Sequence, residues 1–307
     1  MKISSEHAGV IFTLASAMLF AAGPIIIKLA YQVQLSNWQF LSLQYLWSVA
    51  LLLPLYLLGR NKHPEQPMTK EKLGSLALQG SIGAFGGAAF LFTGYQYIGA
   101  AVGTVIFYTY PAFVALGARI FFRERLGKTH FICLFLTFIG VLLTIDLQSF
   151  GQGDVSLKGV LLIFASTLCY AFFSLYGERN LKLSSPLEVT FFTQMFALLT
   201  CLIIKPPYFL FQGVSKHALL LGFAMAFLTS VCSYLLLFKG ISLIGASKSA
   251  VIGTFQIPFA IFLAMVVLKE HLTLSQFIGA SLILGGIIYL YAGKNHDDRH
   301  GFRQDSC

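Results

Sequence analysis

Ten apolar stretches occupy almost all of this 307-residue chain and decide what it can fold into. They run at roughly Ala8–Tyr31, Asn37–Leu58, Leu73–Tyr97, Ala101–Phe122, Thr129–Ile145, Gly159–Gly177, Leu187–Ile204, Ala218–Phe238, Ala246–Leu268 and Leu274–Ala292. Most reach the roughly 17–25 residues a helix needs to cross about 30 Å of hydrocarbon. Backbone in lipid has no water to bond, so each stretch must satisfy its own N–H and C=O groups, as a helix does. Hydrophobic residues make up 57% of the chain and charged residues 11%, which excludes an ordinary soluble two-domain protein. The sequence predicts an all-α integral membrane protein with ten transmembrane helices.

The second constraint is a duplication. Gly94, Ile98, Gly99 and Ala100 match Gly240, Ile244, Gly245 and Ala246 at an offset of 146. Pro111 matches Pro258 at 147, and Arg123-Glu124 matches Lys269-Glu270 at 146. Nearer the start, Ala15-Ser16 and Phe20-Ala21 match Ala165-Ser166 and Tyr170-Ala171 at 150. Two five-helix repeats are therefore expected, over residues 1–145 and 155–292, joined by the polar linker Asp146–Asp154 and followed by a polar tail, 293–307, expected to be disordered. Five is odd, so the second repeat enters from the opposite side and the two are inverted. Duplicated, inverted membrane halves point to a carrier with its site between them.

The net charge of +9 invites a nucleic-acid reading, but its distribution argues against one. With the N-terminus in the cytoplasm, the 21 Lys and Arg residues divide 16 inside to 5 outside (Lys28, Lys158, Lys205, Lys216 and Lys269). That is the positive-inside pattern of a multi-pass inner (plasma) membrane protein with both termini cytoplasmic. The expected partners are a small-molecule substrate and the lipid bilayer, not nucleic acid. A monomer suffices, since both repeats lie in one chain, and a dimer is compatible with it.

Cys133, Cys169, Cys201 and Cys232 lie within apolar stretches and Cys307 ends the tail, without metal-ligand spacing, so neither a metal nor a cofactor is expected. No Walker loop, GxGxxG, HExxH or GxSxG stands in a suitable context, and an enzyme is not expected.

The segments "YTYPAFVALGARIFFRERL…FIGVLL" and "FQIPFAIFLAMVVLKEHLTLSQFIGASLILGGIIYL" share a proline, an apolar run, a basic–acidic pair and a Gly-rich helix. In this the chain resembles the drug/metabolite transporter superfamily, specifically the EamA-type ten-helix carriers. The resemblance covers essentially the whole chain. It implies two inverted five-helix repeats, a central cavity lined by the first, third, fourth, sixth, eighth and ninth spans, and transport of small polar or amphipathic metabolites, often amino acids. Many such relatives carry an arginine in the second span, where this chain has Gln44, and the matching position in the seventh span is Gln194, also neutral.

Within this frame the candidate site residues follow from chemistry. Pro111 and Pro258 fall near the middle of their spans, where a proline frees the carbonyl four residues back, here those of Phe107 and Thr254. Beside them stand Tyr108, Tyr110, Phe255 and Gln256, with Phe20 and Tyr170 at matched positions in the first and sixth spans and Tyr234 in the eighth. Aromatic faces take apolar or cationic groups, and tyrosine hydroxyls and glutamine amides orient a ligand by hydrogen bonds. Gln44 completes the candidate substrate-binding set. Glu178 and Lys248, near helix ends, are candidate gate residues. No carboxylate falls mid-span, so uniport or exchange is as compatible as proton coupling. The expected function is a secondary carrier, most simply an exporter of an amino acid or related amphipathic compound. An uptake carrier for a vitamin, nucleotide or methyl-donor cofactor is the alternative, and a membrane scaffold without a transport cycle is the rival of another class.

Overall fold

The computed structural model describes residues 4–33, 35–60, 67–98, 100–124, 127–144, 156–268 and 273–301, and among these it holds helices and no strand. The helices are α1 (Ser5–Phe20), α2 (Gly23–Gln32), α3 (Asn37–Arg60), α4 (Lys70–Leu78), α5 (Gly87–Gly94), α6 (Ala100–Phe107), α7 (Tyr110–Phe121), α8 (Lys128–Thr144), α9 (Leu157–Leu181), α10 (Pro186–Ile204), α11 (Lys216–Met225), α12 (Ser233–Gly253), α13 (Gln256–Leu268) and α14 (Leu274–Gly301). Side-chain oxygens of Ser4, Thr69, Ser185 and Ser215 accept N–H groups two or three residues into α1, α4, α10 and α11, satisfying donors a helix start leaves open.

Among the described residues, seven helical runs are long and apolar enough to cross a membrane: Ser5–Ile27, Asn37–Gly59, Lys70–Gly94, Val102–Phe121, Leu157–Leu181, Pro186–Ile204 and Lys216–Gly253. Lys128–Thr144 and Leu274–Leu290 are apolar but shorter. The eighth and ninth apolar stretches thus do not stand apart, because the segment expected to link them is helical through Ile244. The chain turns only at Gly245, whose φ of 81° and ψ of 163° lie outside helical space and favour glycine. The tail also differs from expectation, since α14 continues to Gly301.

Three spans are broken by local chemistry. Pro24 has no N–H to give the carbonyl of Phe20, and α1 ends there. Pro111 sits in the first turn of α7, where its missing N–H costs nothing, so it starts a helix rather than interrupting one. Pro258 is likewise in the first turn of α13, and the Thr254 carbonyl expected to be open accepts the N–H of Ile257 at 3.0 Å. Two π-helical segments, Gln79–Gly86 and Ala226–Cys232, link α4 to α5 and α11 to α12.

Two helix seams carry matched contacts. Ser16 donates to the carbonyl of Ser233 at 2.9 Å, and Ser166 to that of Gly87 at 2.7 Å. These partners are 150 residues apart in α1 and α9, and 146 apart at the starts of α12 and α5. A Cβ at Gly9 would stand 2.6 Å from Ile244, and one at Gly159 would stand 2.5 Å from Ile98. Gly240 packs on Thr13 as Gly94 packs on Ile163. In both seams the small residues bring backbones into direct contact, the geometry helices use where lipid supplies no hydrophobic drive.

Beyond these matched contacts, α4, α9 and α10 share a buried polar network. Lys72 and Glu188 pair at 2.9 Å with side chains only 4% and 2% exposed. Ser75 donates to Asn180 at 2.6 Å, Asn180 to Gln79 at 2.7 Å, and Gln79 to the carbonyl of Phe173 at 3.3 Å.

Candidate functional site

A small cavity, with room of about 20 Å³, lies where α1, α7, α9, α12 and α13 meet. Tyr110 and Gln256 reach it because each opens a helix directly after a break: α6 stops at Phe107 and α7 begins at Tyr110, while α12 stops at Gly253 and α13 begins at Gln256. Phe20 from α1 and Tyr170 from α9 line it as well. Tyr110 and Tyr170 meet edge to face with ring centres 4.8 Å apart, and the Tyr110 hydroxyl donates to the Ala250 carbonyl at 3.1 Å. The Gln256 amide donates to the Phe20 carbonyl at 3.4 Å, the group that Pro24 leaves without a helical donor. Tyr110 and Gln256 therefore each work against one of the matched pair Tyr170 and Phe20.

The structure thus brings Tyr110, Gln256, Tyr170 and Phe20 to one cavity and places the other candidates elsewhere. Tyr108 packs against Phe107 and Tyr110, with ring centres 5.7 and 6.1 Å away, outside the wall. Phe255 stacks on Phe259 and packs on the α8–α14 side with Val251 and Ile283. Tyr234 stands one layer back, 5.3 Å from the Phe20 ring and 5.0 Å from that of Phe173. Gln44 donates to Ser230 of the second π segment at 2.8 Å. Pro111 and Pro258 set where their helices begin without facing the cavity.

Glu178 and Lys248 lie outside the cavity lining, both tied to the stretch of α12 just after Gly245. Gly245 ends the helical run there, and the N–H of Ala246, a wall residue, donates to the Glu178 carboxylate at 2.7 Å. Lys248 pairs with Glu6 at 3.2 Å, and His130 Nε2 lies 2.9 Å from the Ser247 hydroxyl. Glu124, between α7 and α8, is held above the usual carboxylate range by burial and by Glu178, which Lys248 partly offsets. Its expected counterpart, Lys269-Glu270, lies outside the described residues, as does the linker Asp146–Asp154. Among the described residues no group of three or more His, Cys, Asp or Glu is placed to hold a metal ion.

Sequence reasoning passed over several residues that the fold makes prominent. Pro24 was legible as a breaker, within a Gly-Pro pair inside an apolar run. Glu188 carried a signal too, as the third residue after Ser185 in a capping box. Gly245 and Ser16 carried only their repeat matches, and the wall serines Ser174 and Ser249 carried no signal, because a small residue in an apolar helix reads as packing.

Comparisons with known proteins agree with this architecture. The EamA-like transporter family matches twice, over residues 7–146 and 157–292. The chain is 30% identical over 222 residues to the uncharacterized transporter YyaM of Bacillus subtilis, covering 70% of this chain and 72% of that one. It is 28% identical over 312 residues to the uncharacterized transporter sll1319 of Synechocystis sp., covering 92% of each. A solved crystal structure superposes with a TM-score of 0.74 at 16% identity, over 92% of this chain and 95% of its own, a likeness of fold alone. With the family matched across both parts of the sequence, and helices long and apolar enough to cross a membrane, this chain is a multi-pass membrane protein belonging to the EamA-like transporter family.

Proposed function

We propose that the protein is a secondary carrier that exports a small amphipathic metabolite, an amino acid or a related compound, across the plasma membrane by alternating access. Residues 1–145 and 155–292 form two inverted five-helix halves that together cross the membrane ten times, with both termini cytoplasmic. The matched seams support this reading: Ser16 to Ser233 and Gly9 to Ile244 in one, Ser166 to Gly87 and Gly159 to Ile98 in the other. A monomer holds the whole site.

The observation that carries the proposal is the placing of Tyr110 and Gln256, each opening a helix after a break, beside Tyr170 and Phe20 around one cavity. Broken helices with their ends at a shared cavity let short rigid pieces reorient without unpairing backbone in lipid. In this reading α7 and α13 swing against α1 and α9, with Tyr110 and Gln256 following the substrate. The end bearing Glu178 and Lys248 is the cytoplasmic gate. Opening it breaks the Glu178–Ala246 hydrogen bond and the Lys248–Glu6 pair, both made from the same stretch of α12.

The test is counterflow in proteoliposomes, using a panel of labelled amino acids and small cofactors. One class should accumulate. Tyr110→Ala and Gln256→Ala should each lower its initial rate by about tenfold, the effect of losing roughly 1.4 kcal/mol of ligand contact, at unchanged protein content. Wild-type counterflow by both variants would remove this cavity as the site. Absence of counterflow for every compound by well-folded protein would instead speak for a scaffold.

A further inference from the structure

We infer that the pathway is closed by different chemistry at its two ends: a polar latch at the cytoplasmic end, with His130 as its buried positioning residue, and apolar packing at the outer end. The inference rests on the carrier reading and goes further, to what holds each gate shut.

Gly245 makes the latch possible. Its φ of 81° breaks the helical run, and the three residues that follow each reach a different helix. The Ala246 N–H donates to Glu178 in the last turn of α9 at 2.7 Å. The Ser247 hydroxyl is hydrogen-bonded to His130 Nε2 in the first turn of α8 at 2.9 Å. The Lys248 ammonium donates to Glu6 in the first turn of α1 at 3.2 Å. All three helix ends are cytoplasmic in the proposed topology, and Ala246 itself lines the cavity. The ties at Ser247 and Lys248 join the two halves, since α1 and α8 belong to the first and α12 to the second.

The repeat supplies the comparison. Gly99, Ala100, Ala101 and Val102 stand at an offset of 146 from Gly245, Ala246, Ser247 and Lys248. The glycine is kept, while the hydroxyl and the ammonium give way to side chains without a polar atom. The partners change as well. Glu6 is matched by Ser156 at 150, and His130 by Gln276 at 146, whose side-chain oxygen accepts the Thr273 N–H at 3.0 Å. Both ends keep the close packing of Gly9 against Ile244 and of Gly159 against Ile98. The outer end does have a polar tie across the halves, from Lys158 to the Tyr97 hydroxyl at 2.9 Å. That bond is exposed, and water replaces an exposed bond at little cost.

The cytoplasmic ties differ in weight. The Lys248 and Glu6 side chains are 25% and 36% exposed, so water competes for the pair. Ser247 is 0% exposed and His130 8%. Parting these two uncovers a hydroxyl and an imidazole that are costly to leave unpaired before water reaches them. His130 therefore does most to keep the cytoplasmic end shut.

The test reads access to the wall from each side of the membrane. Ser249→Cys is made in the full chain, and its modification by a membrane-impermeant cationic methanethiosulfonate is followed by mass spectrometry of that peptide. Right-side-out vesicles admit the reagent from outside, and inside-out vesicles from the cytoplasmic face. Against this parent, His130→Ala and Ser247→Ala, which remove one bond from its two sides, should each raise the cytoplasmic rate about threefold or more. His130→Gln keeps a hydrogen-bonding nitrogen at similar reach and should restore the parent rate. Lys158→Met, at the outer end, should change neither rate. Thermal midpoints in nanodiscs identify the variants that fold. A cytoplasmic rate unchanged in the folded variants, a rate raised equally on both sides, no rescue by His130→Gln, or an outer rate raised about threefold by Lys158→Met overturns the inference. The outer rate of His130→Ala tests the carrier separately, since alternating access requires it to fall as the cytoplasmic rate rises. A cytoplasmic rise with the outer rate unchanged keeps the latch and removes alternation. Unchanged cytoplasmic access alongside counterflow of any compound removes the latch and keeps the carrier.

Discussion

The seam of α9 against α4 and α5 and the seam of α1 against the second π segment and α12 are built from the same contacts, yet among the described residues a buried ion pair and an amide chain stand beside the first alone. Both bring glycines against Ile or Thr side chains, and in both a serine of the single helix donates to the first residue beyond a π segment. Beside the first, Lys72–Glu188 ties α4 to α10, and the chain Ser75–Asn180–Gln79 ties α9 to α4 and the first π segment. At the positions offset by 146 or 150, the second has Ala218, Trp38, Leu221, Ala30 and Met225. Close packing is thus common to both copies, while the polar clamp belongs to one. Apolar contacts can slide at small cost, whereas a buried ion pair resists any separation that exposes one charge without the other. The comparison marks the α4–α9–α10 end as the fixed part of the molecule.

The largest effect should come from breaking the clamp. Glu188→Ala leaves Lys72 buried without its carboxylate and should cost about 3–5 kcal/mol of stability, read as a loss of thermal midpoint in nanodiscs. Lys72→Met with Glu188→Leu together should recover most of it. A double variant as unstable as Glu188→Ala would show that packing, not charge, holds this end.

Next come the shared contacts. Gly9→Ala and Gly159→Ala should each cost about 1–3 kcal/mol, because each Cβ would stand within 2.6 Å of an isoleucine side chain. The two losses should be alike. Unequal losses would break the equivalence of the seams where it looks closest.

A smaller contrast lies in the matched glutamines. Gln44 donates to Ser230, whereas Gln194 has neither amide atom bonded, its counterpart of Ser230 being Ala84. Gln44→Leu should therefore cost about 1 kcal/mol, and Gln194→Leu should be neutral or stabilising. Equal losses in a stability assay would mean that the second amide is held by a group such as buried water.

The smallest effect is one of pH, at Glu124. Glu124 has a folded-state pKa above its ordinary value of 4.5, raised first by burial and then by Glu178. The folded protein then binds this proton more tightly than the unfolded chain, so stability should rise as pH falls through the folded pKa toward 4.5. Glu124→Gln should flatten that part of the midpoint-against-pH curve. An unchanged slope would assign it to another group.

Much of this was legible in the sequence. Phe20 and Tyr170 stand out because repeat offsets mark positions that two copies of one architecture treat alike, and Tyr110 and Gln256 because they neighbour the two matched prolines. Tyr108, Tyr234, Phe255 and Gln44 had the same residue chemistry but point into other packing layers, and composition cannot say which way a helix is rotated when all its faces are apolar. The π segments and Gly245 were hidden for a related reason: they alter helical phase through backbone torsions that no residue type announces. The Lys72–Glu188 pair joins helices over a hundred residues apart, and local spacing carries no trace of it.

The sequence by itself determined the class, the duplication and the family, because the free-energy cost of unpaired backbone in lipid leaves a long apolar run few shapes, and a repeat is visible wherever it occurs. Tertiary structure alone decided which four of the candidate side chains share a cavity, which charges are buried as a pair, and which wall serine has no hydrogen-bond partner within the protein. Those outcomes depend on the rotation and breaks of helices far apart in the chain, a matter of packing between surfaces rather than of any segment's own preference.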